Sequence, residues 1–155
     1  MNGSANAVPT VLVVDDEAPI RLLCRVNLEA DGLTVLEASD GSTAIEQARS
    51  EHPVVILLDV MIPRLDGWTV AEQLHADRRT ESIPIIFLTA RAELRDRERG
   101  IALGGVDYVT KPFNPIELVT LVHDLLERVA CGELYELQHE PLDELRGRKR
   151  DQRAV

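Results

Sequence analysis

An alternation of two segment types, repeated over most of the length, limits the folds open to this chain. Five short apolar runs, at 10–14, 34–37, 54–58, 85–88 and 106–109, are each followed by a segment with helical spacing. The runs are β-branched and nearly continuous in apolar character. That pattern belongs to strands covered on both faces of a parallel sheet. The helical segments group Ile20, Leu23, Val26 and Leu28, then Ala44, Ile45 and Ala48, then Trp68, Val70, Ala71 and Leu74. A fourth, 91–103, is charged and weakly periodic. A fifth, 115–129, is strongly amphipathic through Ile116, Leu118, Val119, Val122, Leu125 and Leu126. Punctuation agrees: Gly32 and Gly104 stand where helices end, Pro115 suits a first helical turn, and Ser39, Asp40 and Ser42 all offer caps for the second helix. Five β-α units joined by right-handed crossovers predict a three-layer α/β/α sandwich of a single domain.

Size and charge narrow the function. The chain has 155 residues, room for one domain, and 45% hydrophobic residues, too many for a disordered chain. Its net charge of −10 argues against non-specific binding to nucleic acid or to an anionic membrane. The most apolar stretch, 54–62, contains Asp59 and is too short to span a bilayer. Cys24 and Cys131 have neither metal-ligand spacing nor a disulfide framework, so a reducing, cytoplasmic setting is expected. Residues 1–8 lack a secretory pattern and read as a flexible tail, 9–129 as the domain. Residues 130–155 read as an extension, partly helical at 133–137, interrupted by Pro141 and then polar and disordered.

Sites in open parallel sheets form at the carboxyl ends of the strands. Strand 1 ends in Asp15-Asp16, strand 3 in Asp59, strand 4 in Thr89, and strand 5 leads into Thr110-Lys111-Pro112; strand 2 ends without a distinctive group. Singly, each has a plain reading: Asp16 as a helix N-cap, Thr89 as a cap, Lys111 as solvated surface. Together, three carboxylates at one edge repel one another unless a cation joins them. An all-oxygen donor set points to a hard ion such as Mg²⁺. Carboxylate, Mg²⁺, hydroxyl and ammonium together make a phosphoryl-transfer site, with Asp59 able to form an acyl phosphate. Lys111 is one of only two lysines in a chain with fifteen arginines, which makes the choice of lysine there suggestive.

Four segments in order, VLVVDDE, LLDVMIPRLDGW, PIIFLTA and GGVDYVTKPF, give the chain its resemblance. Over residues 9–129 it resembles the receiver domain of two-component response regulators, in the manner of single-domain chemotaxis regulators. The resemblance implies a flavodoxin-like, five-stranded parallel sheet in strand order 2-1-3-4-5. Asp59 would be the phosphoacceptor. Asp16, Asp59 and the backbone carbonyl of Met61 would ligate Mg²⁺ directly, with Asp15 acting through a water. Thr89, the backbone N–H of Ala90 and Lys111 would hold the phosphoryl oxygens. Pro63 and Gly67 would shape the loop after strand 3, and Lys111-Pro112 would be cis. Thr89 and Tyr108 would form the switch, reshaping a surface of the fourth predicted helix, fifth strand and fifth predicted helix. The implied partners are a sensor histidine kinase or histidine phosphotransfer protein and an unnamed downstream protein, with a phosphorylation-dependent homodimer as a further implied assembly. No membrane and no direct nucleic-acid partner is expected.

The leading expectation is a stand-alone regulator, because the 26 residues after Val129 are too few to fold as an output domain. The alternative is a receiver cut from a longer DNA-binding regulator. A third reading is a Mg²⁺-dependent phosphohydrolase with an aspartyl nucleophile. Such enzymes usually carry a second acid two residues on, where this chain has Met61. Met61 and Arg91, each two residues past a site residue, are placed to shield an acyl phosphate from water. The histidines at 52, 75, 123 and 139 are scattered, and Trp68 reads as packing.

Overall fold

The computed structural model describes residues 8–90 and 105–130. Five strands, β1 (Thr10–Val14), β2 (Thr34–Ala38), β3 (Val55–Asp59), β4 (Ile85–Thr89) and β5 (Gly105–Thr110), form one parallel sheet in the order β2-β1-β3-β4-β5. The four described helices are α1 (Ala18–Ala30), α2 (Gly41–Glu51), α3 (Gly67–Ala76) and α4 (Pro115–Ala130). The predicted fourth helical segment, 91–103, and the tails at 1–7 and 131–155 lie outside the described residues. So do Arg91, Gly104 and Cys131.

The two faces of the sheet explain why the strands read as continuous apolar runs. Leu12, Val14, Ile56, Leu58, Ile85 and Phe87 pack on one face against Ala44, Ile45 and Ala48 of α2 and Val70, Ala71 and Leu74 of α3. Their strand neighbours Val11, Val13, Val55, Leu57, Ile86 and Leu88 point the other way, onto Cys24 and Leu28 of α1 and Leu118, Leu121, Val122 and Leu125 of α4. Successive side chains alternate faces, and both faces are dry, so every residue of β3 and β4 is buried. Trp68 is half-buried with its ring centroid 4.7 Å from that of Phe87, a packing role as expected. Cys24 is a free, buried thiol, and burial beside Asp15 pushes its pKa up to about 12, so it is unreactive.

Helix ends select among the candidate caps. Of the three offered for α2, Asp40 serves, its carboxylate accepting from the Thr43 N–H at 2.8 Å. Asp66 caps α3 in the same way. Asp16 caps none of the described helices. The N-cap of α1 is Glu17, without a side-chain bond, and the carboxylate serving the Glu17 N–H is Asp15, at 2.9 Å. Gly32 follows α1 at φ +91°, as the stop signal predicts.

Candidate functional site

Parallel strands end together, so the residues that leave β1, β3, β4 and β5 gather at one carboxyl edge. Asp15 is fully buried, Asp59 is 3% exposed, and Asp16 is open to solvent. Carboxylate oxygens of all three lie within 4.8 Å of one another. Lys111 arrives from the end of β5 and faces the cluster. Its Nζ lies 2.6 Å from Asp15 Oδ2, 3.2 Å from Asp59 Oδ2 and 3.5 Å from Glu17 Oε2. The Lys111-Pro112 bond is cis, and the Lys111 N–H donates to the Thr89 carbonyl at 2.8 Å, which ties the two strand ends together.

The remaining oxygens of the two buried carboxylates are held by backbone. Asp59 Oδ1 accepts from the Met61 N–H at 2.9 Å, as Asp15 Oδ1 does from the Glu17 N–H. The loop that carries Met61 closes through Gly67, whose N–H donates to the Val60 carbonyl at 3.1 Å. A Cβ on Gly67 would stand 2.4 Å from the Asp59 carbonyl oxygen, so only glycine permits α3 to start this close to the end of β3. Met61 is 68% exposed, at the rim, and Thr89 and Tyr108 are buried. Ala90 is exposed beside Thr89.

The electrostatics follow from burial, with few cations beside the carboxylates among the described residues. Burial pushes the Asp59 carboxyl above the usual carboxylate range, and the Asp15 charge adds to it; the Met61 N–H and Lys111 only partly offset this. Burial also opposes the charge on Lys111, yet its bond to Asp15 and the field of both aspartates hold its pKa above the ordinary value. Asp15 and Asp59 share the largely buried Lys111 ammonium, Asp16 has no cation paired with it among the described residues, and every donor atom the three carboxylates offer is oxygen. That set suits a hard divalent cation and offers nothing to a soft one.

All three predicted carboxylates and Lys111 therefore meet at one edge. Strand 2, expected to bring no distinctive group, contributes as well. Glu37 of β2 reaches this edge indirectly, pairing at 3.0 Å with Arg21 of α1, which in turn donates to the Asp15 carbonyl at 2.8 Å. The only signal for it in the sequence is a carboxylate on an otherwise apolar strand.

Comparison with known proteins agrees with this architecture. Residues 11–123 match the family model described as the response regulator receiver domain. The chain is 41% identical over 136 residues to the phosphate regulon transcriptional regulatory protein PhoB of Escherichia coli K12, covering 86% of this chain and 59% of that protein. It is 46% identical over 118 residues to the alkaline phosphatase synthesis transcriptional regulatory protein PhoP of Bacillus subtilis, covering 76% of this chain and 48% of that one. The chain thus spans about half the length of the curated relatives it matches. Among solved structures, the chemotaxis protein CheY4 of Vibrio cholerae superposes with a TM-score of 0.73 at 30% identity, over 76% of this chain and 98% of that one. A putative response regulator from Chloroflexus aurantiacus gives a TM-score of 0.73 at 32% identity, over 79% of this chain and 100% of that one. With its sheet order, its acidic edge and these relatives in agreement, the chain belongs to the response regulator receiver domain family.

Proposed function

We propose that this receiver accepts a phosphoryl group on Asp59 from a sensor histidine kinase or histidine phosphotransfer protein. The observation that carries the reading is the meeting of Asp15, Asp16 and Asp59 at one edge, with the largely buried Lys111 ammonium paired to Asp15 and Asp59. Asp16, Asp59 and the Met61 carbonyl would hold Mg²⁺, with Asp15 acting through a water. Bound there, Mg²⁺ would neutralise charge on the phosphoryl oxygens. An Asp59 oxygen attacks phosphorus in line, a P–O bond forms, and the P–N bond to the donor imidazole breaks. Lys111 moves its charge from the aspartates to an equatorial oxygen, while the Thr89 hydroxyl and the Ala90 N–H take others. The domain catalyses only its own phosphorylation and the later hydrolysis of the acyl phosphate.

The switch in this reading is Thr89 with Tyr108. Tyr108 is already packed in the core, 5% exposed, in register with Phe87 in the middle of β4. New charge at Asp59 would draw Thr89 toward the edge and rebias the position of Tyr108, altering the surface of the fourth predicted helical segment, β5 and α4 that a downstream protein reads. None of the described helices is long and apolar enough to cross a membrane. A cytoplasmic setting is part of this reading, with residues 9–129 as the receiver and 130–155 as an extension.

A second reading concerns the output and rests on the relatives. PhoB and PhoP are transcriptional regulators, of which this chain spans about half. Under it, the receiver controls an attached DNA-binding unit instead of a separate protein. Sequencing the transcript through and beyond codon 155 distinguishes the two.

The phosphoacceptor is tested by intact mass after incubation with Mg²⁺ and acetyl phosphate. The wild type should gain one phosphoryl group and Asp59→Asn none. Labelling retained by Asp59→Asn would overturn the assignment.

A further inference from the structure

We propose that Arg21 is a positioning residue for the acidic cluster: clamped by Glu37 of β2, it sets the Asp15–Asp16 peptide and so the place from which the Asp16 carboxylate meets a cation. The proposal rests on the cation-binding reading above.

Arg21 lies in the first part of α1, with its side chain 19% exposed. It spends two donors on one task. Nη1 donates to the Asp15 backbone carbonyl at 2.8 Å, and Nε donates to Glu37 Oε1 at 3.0 Å. The other Glu37 oxygen accepts from Arg25, whose Nη2 donates to the Val35 carbonyl at 3.0 Å. Glu37 is thus gripped by two arginines one turn apart on α1, and only Arg21 passes that grip on to the site.

The consequence lies in the peptide plane. The Asp15 carbonyl and the Asp16 N–H belong to one rigid unit, so fixing the oxygen fixes the direction in which the chain leaves Asp15. Asp15 has further tethers: its N–H donates to the Ala38 carbonyl at 3.1 Å, and its carboxylate is held by the Glu17 N–H and Lys111. Asp16 is exposed, and among the described residues no hydrogen bond or ion pair holds its side chain. Its carboxylate is therefore placed through the backbone, and the backbone at that point is oriented by Arg21.

Charge and geometry predict opposite signs, which makes the proposal sharp. Removing a guanidinium beside an acidic cluster leaves the edge more negative, so electrostatics alone would tighten cation binding. Loss of positioning would weaken it. Metal affinity commonly falls about 10–100-fold when a group that orients a ligand is removed.

The test is calorimetric titration of the full chain with Mg²⁺, alongside thermal unfolding with and without Mg²⁺. Arg21→Met should bind roughly tenfold more weakly and lose most of the Mg²⁺-dependent rise in unfolding temperature. Arg25→Met loosens the same Glu37 without touching Asp15. It should unfold earlier but keep an affinity close to the wild type. Arg21→Lys, which keeps a charged donor for the Asp15 carbonyl, should recover part of the loss. Should Arg21→Met not fold, Arg21→Gln is read by the same rule. Unchanged or tighter binding on loss of Arg21, or an equal weakening by Arg25→Met, overturns the proposal while leaving the cation site in place. Asp16→Ala separates the two levels: if it binds Mg²⁺ as the wild type does, the cation reading has failed, and the role of Arg21 falls with it.

Discussion

Asp59 and Asp77 are both aspartates beside cations, one closing a strand and the other a helix, and their surroundings drive them in opposite directions. Asp77 ends α3. Its carboxylate receives Arg79 Nε and Nη2 at 3.1 and 2.9 Å, the Arg79 N–H at 2.9 Å and Arg49 Nε at 2.9 Å. Hydrogen bonds from Arg79, then from Arg49, hold its carboxyl well below the usual carboxylate range. Asp59 is buried, shares Lys111 with Asp15, and is pushed the other way. The difference is one of supply. Asp77 has two guanidinium groups for one negative charge and serves to pin a turn. At the acidic edge the negative charges outnumber the cations among the described residues, which leaves a demand for positive charge there. That demand is what a divalent ion would satisfy, and it is why an acid in a structural pair and an acid in a site can look alike in sequence.

Deepening the shortage should do the most damage. Lys111→Met leaves Asp15 and Asp59 buried with no ammonium between them. Removing one partner of a buried ion pair costs about 3–5 kcal/mol, so the urea midpoint should fall steeply in the absence of Mg²⁺. Adding Mg²⁺ should restore part of the loss. An unchanged midpoint would mean that Lys111 does not balance the cluster.

A smaller effect should follow from disturbing the geometry while leaving the charges alone. Gly67→Ala forces a Cβ to within 2.4 Å of the Asp59 carbonyl oxygen and 2.5 Å of Val60 Cα, so backbone must move. Overpacking of this kind costs about 1–3 kcal/mol. Because the moved backbone carries Asp59, labelling by acetyl phosphate should slow as well. A variant as stable and as readily labelled as the wild type would show that this close approach does not matter.

The well-supplied acid should matter least. Asp77→Asn removes the ion pairs to Arg79 and Arg49, whose side chains are 62% and 40% exposed, and pairs so open to water contribute little. The pH dependence carries the sign. A carboxyl held low in the folded state stabilises the fold above its ordinary pKa of about 3.9, and that contribution fades as pH falls below it. The gap in urea midpoint between wild type and Asp77→Asn should therefore be small at pH 7 and narrow further as the solution is acidified below about pH 4. A gap that widens in acid would contradict the lowered pKa.

Much of this molecule is legible in its residues. The continuous apolar runs at 54–58 and 85–88 correspond to strands buried on both faces, because a parallel sheet with helices on each side leaves no wet positions. The meeting of Asp15, Asp16, Asp59 and Lys111 is legible for a topological reason: parallel strands present their carboxyl ends at one edge. Local pattern does not choose among equivalent neighbours. Ser39, Asp40 and Ser42 are equal candidates in sequence, and backbone angles select Asp40; Asp16 has the chemistry of a cap, but Asp15 takes the Glu17 N–H. Nor does the end of strand 2 advertise a role for Glu37, because that role runs through Arg21, sixteen residues earlier in the chain.

The inventory of the molecule is therefore written along the chain: the strands that exist, the edge that collects the acids, and the family that the motifs resemble. Those follow from short-range periodicity and from residue chemistry at strand ends. The sharing of charge is settled only by packing. Lys111 stands 96 residues from Asp15 and 52 from Asp59, and no local pattern relates groups so distant. Folding buries Asp15 and Asp59, leaves Asp16 in water, and places one ammonium among them. The strength of a charge–charge interaction depends on distance and on the water excluded around it, and both quantities come into being only when the chain is packed.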